Sequence, residues 1–201
     1  MLLDIVILPP NSLRKKIGAR IKKEVGKLPN SFVVDNVKLI PHLSLWHLDT
    51  SRRELNSLAK DLREIATVQK PVKISSAGFH VGKRYKHLVN FEVKGTEVLE
   101  ALRKRVFQKA YPHKVDIMPH FLPTFGKWTG QSLREAKKYG KPLRFSPHFT
   151  MGWLRNEDDA SGIVQKMKNV RFNFLAKEMY ICEINNWWQV RRIIRKISFH
   201  K

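Results

Sequence analysis

Two short segments of the sequence pair a histidine with a hydroxyl residue two positions later. His42 and Ser44 form one pair, His148 and Thr150 form the other, and a proline precedes each histidine. Both pairs lie in runs that alternate polar and apolar residues, so in an extended strand the imidazole and the hydroxyl project from the same face. Two such half-sites facing each other across a cleft would supply two proton-transfer groups and two hydroxyl donors. This combination suits chemistry at a phosphodiester.

The histidines match what the hydrolysis of a phosphodiester requires. The reaction removes a proton from an attacking water and delivers a proton to the departing oxygen. Histidine has an unperturbed pKa of about 6.5, so one neutral and one protonated imidazole on opposite sides of phosphorus meet both needs near neutrality. The hydroxyls of Ser44 and Thr150 can donate hydrogen bonds to the non-bridging oxygens. The sequence leaves open whether His42 or His148 is the acid.

Three further residues are candidates for binding substrate. Trp46 follows Ser44 by two positions, so the alternation predicts it on the same strand face, where it can stack on a base or ribose. Packing in the core is the alternative for Trp46. Trp128 lies in an aromatic and basic segment that suits single-stranded RNA, unless the segment's aromatics only pin it to the body. Arg191 belongs to a basic cluster on the last predicted strand that can form part of a phosphate track.

The charge of the chain narrows its partners. The 201 residues include 39 Lys and Arg against 17 Asp and Glu, a formal net charge of +22. Such an excess attracts polyanions, because binding to phosphates releases counterions. RNA, DNA or an anionic membrane surface would each satisfy this charge. It therefore sets a class of partner and not a reaction.

Composition also bounds the fold and the compartment. With 42% hydrophobic residues, the chain can bury the core of a single domain over residues 1–201. No apolar run approaches the roughly 18 residues of a membrane span, and no signal peptide is evident, so a cytoplasmic, monomeric protein without membrane contact is expected. Cys182 is the only cysteine, which leaves neither a disulfide nor a cysteine-based metal cage. No His-x₃-His helix pattern suggests a zinc site, so no metal and no cofactor are expected.

The elements that must position the motifs follow a repeated order. Each histidine run is followed by a helical pattern and then by two strand patterns, which predicts a β-α-β-β unit present twice. Residues 117–144 break the pattern and are interpreted as an insertion or flap with a short helix at 133–139. The predicted strands are 2–8, 32–34, 37–48, 72–81, 88–93, 143–154, 172–184 and 187–199, and the other predicted helices are 13–28, 51–65, 96–106 and 158–168.

The paired His-x-Ser/Thr motifs, each on a strand preceded by proline, resemble the signature of the 2H phosphoesterases. This superfamily includes the RNA 2′-5′ ligase-like proteins and cyclic nucleotide phosphodiesterases. The resemblance extends over nearly the whole chain, with residues 117–144 as the main departure. It implies a bilobal α+β fold in which two antiparallel sheets face a central cleft, with helices outside. It also implies that His42 and His148 are the catalytic pair, and that Ser44 and Thr150 contact the phosphate.

The function expected from residues and resemblance together is that of a metal-independent phosphoesterase. It would hydrolyse 2′,3′-cyclic phosphate ends of RNA or nucleotides, which are then its partners. Two related reactions stay open, the 2′-5′ joining of RNA and the trimming of RNA 3′ ends, because the same groups serve any in-line transfer at a ribose-linked phosphorus. A protein of another class, which binds RNA or a nucleotide without cleaving it, is the remaining alternative.

Overall fold

The computed structural model describes residues 1–82, 85–118 and 129–200. In these ranges, no helix is both long enough and apolar enough to cross a membrane. A short 3-10 helix, Tyr111–His113, accompanies the longer elements. The strands are β1 (Leu2–Ile7), β2 (Asn30–Val33), β3 (Leu43–Asp49), β4 (Val72–Val81), β5 (Leu88–Val93), β6 (His148–Leu154), β7 (Asn173–Ala176), β8 (Glu178–Ile184) and β9 (Val190–Ser198), and the helices are α1 (Asn11–Glu24), α2 (Leu55–Val68), α3 (Glu97–Ala110), α4 (Gly130–Tyr139) and α5 (Glu157–Met167).

The nine described strands form one curled antiparallel sheet that divides naturally into two halves. Its order is β7-β4-β5-β6-β3-β1-β8-β9, and β2 pairs with β6. The halves meet between β3 and β6, where Leu43 pairs with Phe149. Each of these residues directly follows a motif histidine. The seam between the halves therefore brings the two motifs side by side.

The two β-α-β-β units exchange their strands. The strands that follow the first histidine strand, β4 and β5, join β6, whereas β8 and β9, which follow the second, join β1 beside β3. The helices α2 and α3 cover the half that contains β3 and β9, and α5 covers the half that contains β4, β5 and β6. The structure confirms the expected α+β class with facing antiparallel halves and outer helices.

The helices that support the β3 half are held by apolar faces at helical spacing. Leu58, Leu62 and Ile65 of α2 are buried, as the predicted stripe requires. Each fully buried leucine stabilises the fold by about 2 kcal/mol relative to exposure. Thr96 caps the start of α3, and its hydroxyl accepts a hydrogen bond from the Leu99 backbone N–H at 3.2 Å. These contacts fix the surface on which the first histidine strand rests.

Three predicted strands differ most from the observed ones. The run 37–48 is strand only from Leu43, since before it the chain turns where the Asn36 backbone N–H donates to the Leu39 carbonyl at 2.8 Å. The run 143–154 is strand only from His148, since residues 143–147 make irregular contacts such as the Leu143 backbone N–H to the Glu135 carboxylate at 2.8 Å. The run 172–184 is interrupted at Lys177, because β7 pairs with β4 and β8 pairs with β1 in the other half. Here the chain crosses between the halves, so one continuous strand is impossible.

The segment 117–144, expected to be a flap or insertion, is described from residue 129 onward and up to residue 118. Its helix α4 spans Gly130–Tyr139, a little longer than predicted. Gly140 ends the helix with φ 90°, a left-handed conformation that favours glycine. Tyr139 packs edge-on against Phe107 of α3, with ring centroids 5.1 Å apart. This anchoring leads residues 141–146 past the seam between the sheet halves.

Candidate active site

A cavity of about 660 Å³ opens beside the seam of the sheet. His42 and Ser44 line it from the β3 side, and His148 and Thr150 line it from β6. The structure therefore brings all four motif residues predicted from the sequence to one site. His42 and Thr150 are 4% and 7% exposed, so the motif side chains lie in the wall of a cleft and not on an open surface.

Both motif histidines are oriented by the same backbone contact. His42 Nδ1 donates to the Ile40 carbonyl at 2.8 Å, and His148 Nδ1 donates to the Ser146 carbonyl at 2.6 Å. A carbonyl only accepts, so these contacts place the hydrogen of each neutral ring on Nδ1. A proline lies between each histidine and the residue whose carbonyl it contacts, and it restricts that residue to extended backbone. The chain therefore leads into both motifs with the same backbone conformation. In both rings Nε2 is the nitrogen left to exchange protons.

A buried carboxylate lies behind the first motif. Asp4 of β1 is 0% exposed, and its Oδ2 accepts a hydrogen bond from the Ser44 hydroxyl at 2.6 Å. The same oxygen lies 3.1 Å from His47 Nε2 and 3.7 Å from His42 Nε2. Burial alone would raise the pKa of Asp4, but the two histidines and the Ser44 hydroxyl lower it below its ordinary value. Asp4 is therefore ionised at neutral pH.

A lysine reaches Asp4 through His47. Lys141 Nζ lies 2.9 Å from His47 Nδ1. An ammonium has only donors, so Nδ1 accepts and the His47 hydrogen is on Nε2, facing Asp4. Burial lowers the pKa of Lys141 to about 8, and burial also lowers the pKa of His47. We call Asp4, Ser44, His47 and Lys141 the Asp4 network.

The sequence prediction for Trp46 is wrong because of a β-bulge. The pairing of β1 with β3 shifts register between Ile5 and Val6, so that β3 contains one extra residue after Ser44. The shift reverses the alternation, and His47 rather than Trp46 lines the cavity with Ser44. Trp46 is 0% exposed and packs in the core against Phe107, with ring centroids 4.7 Å apart.

The two motif hydroxyls have different surroundings. Ser44 donates its hydrogen to Asp4, so in this structure the hydrogen is directed away from the cleft, contrary to the expected donation to phosphate. Thr150 lines the cavity and pairs across the strands with Asn90. Near it, burial lowers the pKa of His148 to about 4. The two half-sites are thus alike in backbone geometry and unlike in electrostatics.

The remaining walls of the cavity combine cationic and aromatic side chains. Trp188 has φ 58°, an uncommon conformation for a bulky residue, and its ring lies 5.3 Å from that of His47. The cations that line the cavity are Arg103, Lys141 and Arg144, and its aromatic residues include Phe32, Tyr85, Phe145, Trp187 and Trp188. Such walls suit a ligand that is both anionic and aromatic.

Two other predicted binding residues are not brought to this site. Arg191 is exposed on β9 and does not line the cavity. Trp128 lies outside the described residues. Sequence reasoning missed Asp4, His47 and Lys141. Asp4 could have been found from the sequence, because it is the single charged residue within the apolar run of β1. Nothing in the sequence distinguishes Lys141 from the many other lysines.

Comparison with solved structures shows what this architecture is similar to. The protein TT0787 of Thermus thermophilus superposes with a TM-score of 0.68 at 15% identity, over 99% of this chain and 98% of that one. E. coli LigT in apo form gives 0.63 at 13% identity, over 99% and 97%. A structure described as a phosphoesterase gives 0.61 at 12% identity, over 99% and 98%. The chain has the 2H phosphoesterase fold.

At these identities the similarity is one of fold, and the chemistry rests on the residues of this chain. Neither protein-family models nor curated protein sequences gave a match. In the 2H phosphoesterase fold of this chain, the described residues include no group of three or more His, Cys, Asp or Glu side chains arranged to hold a metal ion. The groups in the cavity that can exchange protons include the imidazoles of His42 and His148 and the ammonium of Lys141.

Proposed function

We propose that the protein is a metal-independent phosphoesterase that opens 2′,3′-cyclic phosphate ends of RNA or nucleotides. The observation that carries this proposal is the pair of matched histidines. Both rings are oriented through Nδ1 by a backbone carbonyl, and both line the same cavity. Two imidazoles whose Nε2 atoms are not bonded to the backbone are what an in-line displacement at phosphorus needs for its two proton transfers.

The proposed reaction uses the two Nε2 atoms in turn. One imidazole removes a proton from water as the water oxygen bonds to phosphorus. The other gives its proton to the ribose oxygen as the bond between that oxygen and phosphorus breaks. The product is a phosphate monoester with a free ribose hydroxyl, and the two rings exchange their protonation states. The hydroxyl of Thr150 is the motif donor free to stabilise the charge on the non-bridging oxygens.

The walls of the cavity support a nucleotide substrate. Arg103, Lys141 and Arg144 favour a phosphate, and Trp187 and Tyr85 offer ring faces for a base. Structures of E. coli LigT, which has the same fold, include complexes with 3′-AMP, phosphate, ATP and NADP⁺. Ligands of that class fit the charge and the aromatic content of the cavity in this chain.

The test uses purified protein in the presence of a chelator, with a 2′,3′-cyclic nucleotide and an oligonucleotide that ends in a cyclic phosphate. We expect hydrolysis to a monoester, identified by phosphorus NMR. His42→Gln and His148→Gln should each lower kcat by about 10²-fold or more, because general acid–base catalysis contributes at least that much. The exposed His200→Gln is the matched control and should keep full activity. Turnover that survives both cleft substitutions would refute the assignment.

The same experiment separates the alternatives. Joined RNA or shortened 3′ ends among the products would point to 2′-5′ ligation or trimming with the same residues. Tight RNA binding without turnover of any substrate, unchanged by His42→Gln and His148→Gln, would identify a binding protein and overturn the proposal.

A further inference from the structure

Asp4 is an unusual residue for its position. Every other residue of β1 is apolar, and the carboxylate is completely buried. Within the described residues its Oδ1 has no hydrogen-bond partner and no lysine or arginine forms an ion pair with it. Burying an ionised carboxylate is costly, and the hydrogen bonds from Ser44 and His47 offset only part of that cost. An apolar residue would serve the core better, which points to a role for the charge.

The charge of Asp4 acts on one motif histidine and not on the other. Its Oδ2 lies 3.7 Å from His42 Nε2, the nitrogen that the backbone contact leaves to exchange protons. For His148, no carboxylate among the described residues lies within ion-pair distance, although Glu92 is its cross-strand partner. Burial lowers the pKa of His42, and the negative charge of Asp4, which favours the protonated imidazole, opposes that effect. The two rings are therefore inequivalent before any substrate binds.

We propose that Asp4 is a positioning residue for the proposed reaction: its charge offsets the effect of burial on His42, so that His42 holds a proton more readily than His148. This assignment rests on the proposed function, and it names the direction in which the site works. In the reaction, His42 gives its Nε2 proton to the departing ribose oxygen. His148 takes the proton from the attacking water, and both rings return to their starting states by exchange with solvent.

His47 and Lys141 complete the arrangement by keeping Asp4 an acceptor. Lys141 donates to His47 Nδ1, and the remaining hydrogen of His47 is directed at Asp4. The titratable groups that face His42 are thus Asp4 from β1, His47 from its own strand β3 and His148 from β6. Neither histidine favours a positive charge on His42, so Asp4 is the group that opposes the effect of burial there.

The first test reads the imidazoles directly by a proton NMR titration, with the resonances assigned from the spectra of His42→Gln and His148→Gln. In the unmodified protein, His42 should titrate at higher pH than His148. In Asp4→Asn, which keeps size and one acceptor oxygen, the pKa of His42 should fall by about one pH unit or more. The pKa of His148, which feels Asp4 only through His42, should move much less. Glu183→Gln, on the neighbouring strand β8, is the matched control and should change neither.

The second test measures kinetics. Asp4→Asn should lower kcat about tenfold or more with KM changed less than about twofold, since only the proton delivered in the transition state is affected. The alkaline limb of the pH profile of kcat/KM belongs to the acid, so it should move to lower pH. The acidic limb belongs to His148 and should stay in place. A purely structural role would lower the yield of folded protein without moving one limb.

The titration stands apart from the proposed function because it needs no turnover. If His42 titrates below His148, or if Asp4→Asn leaves the pKa of His42 unchanged, the role of Asp4 is refuted even in an active enzyme. If the expected pKa order is found and no substrate is hydrolysed, the proposed function fails instead. Should Asp4→Asn not fold, the order of the two pKa values in the unmodified protein decides the question.

Discussion

At the level of single residues, Ser44 and Thr150 hold equivalent positions in the two motifs but make different contacts. Ser44 donates to Asp4, whereas Thr150 lines the cavity without a carboxylate partner among the described residues. We therefore expect Thr150→Val, which removes the hydroxyl and keeps the shape, to lower kcat about 10²-fold, the usual loss for one oxyanion donor. Ser44→Ala should cost less in steady-state kinetics. Equal losses in the two variants would contradict the asymmetry.

Lys141 should bind the substrate's phosphate, because it is a cation in the cavity wall whose hydrogen bond goes to a neutral ring. Lys141→Met should raise KM about tenfold and change kcat little, as expected when one charge-assisted hydrogen bond is lost. Lys137→Met, exposed on α4, is the control.

The pH dependence of KM offers a second check on Lys141. Its pKa is lowered to about 8 by burial, so the free protein loses this charge as pH rises through that value. KM of the unmodified protein should therefore increase above pH 8, and Lys141→Met should lack this increase. The same rise in both proteins would exclude Lys141 as its source.

At the level of elements, local sequence patterns predicted which helices and strands exist better than they predicted where each one begins and ends. The strands 72–81 and 88–93 match β4 and β5, since alternation and flanking turns define both. The bulge in β3 was not predictable, because one inserted residue leaves the composition of a strand unchanged while it exchanges the faces of Trp46 and His47. The same limit explains why His47 was missed as a residue of the site.

The 3-10 helix is fastened to α2 by a histidine between two carboxylates. His113 Nδ1 and Nε2 each lie 2.9 Å from an oxygen, one from Glu54 and one from Asp61. Burial lowers the pKa of His113, but these hydrogen bonds outweigh it and raise the pKa above its ordinary value. The contact therefore stabilises the fold fully below about pH 6.5, the unfolded value, and is lost as pH rises through the folded pKa.

We expect His113→Gln to lower the free energy of unfolding by about 1 kcal/mol at pH 5.5, an amount limited by solvent around Glu54. The difference from the unmodified protein should shrink by pH 8.5. Urea unfolding at both pH values measures it, with the exposed His200→Gln as the control. A difference that grows with pH would contradict the charged contact.

At the level of the whole molecule, the repeated β-α-β-β order could be predicted from the sequence. The exchange of strands between the two units could not. Each unit shows its own periodicity, so the sequence predicts its elements. Tertiary packing decides which strands pair when they are distant in sequence, as β5 does with β6 and β8 with β1. The four motif residues were predictable because the fold places them by strand alternation, whereas Lys141 reaches the site from an irregular stretch.

The net charge of +22 belongs to the whole surface and should govern affinity for RNA. We expect the affinity for a single-stranded oligonucleotide to fall steeply with salt, with a log–log slope of about −0.7 for each phosphate neutralised. A mononucleotide should show a shallower slope because it offers fewer phosphates. Fluorescence anisotropy over a range of KCl concentrations measures both. An affinity for RNA that does not change with salt would exclude this role of the charge.

The short strand pairing that connects the two halves of the sheet has a mechanical consequence. Strand pairing between β3 and β6 rests on Leu43 and Phe149, and one motif imidazole belongs to each side. A ligand bound by both rings would therefore also link the two halves of the sheet. A change that weakens the pairing between β3 and β6 should increase the distance between the two imidazoles. It should therefore slow the proposed reaction.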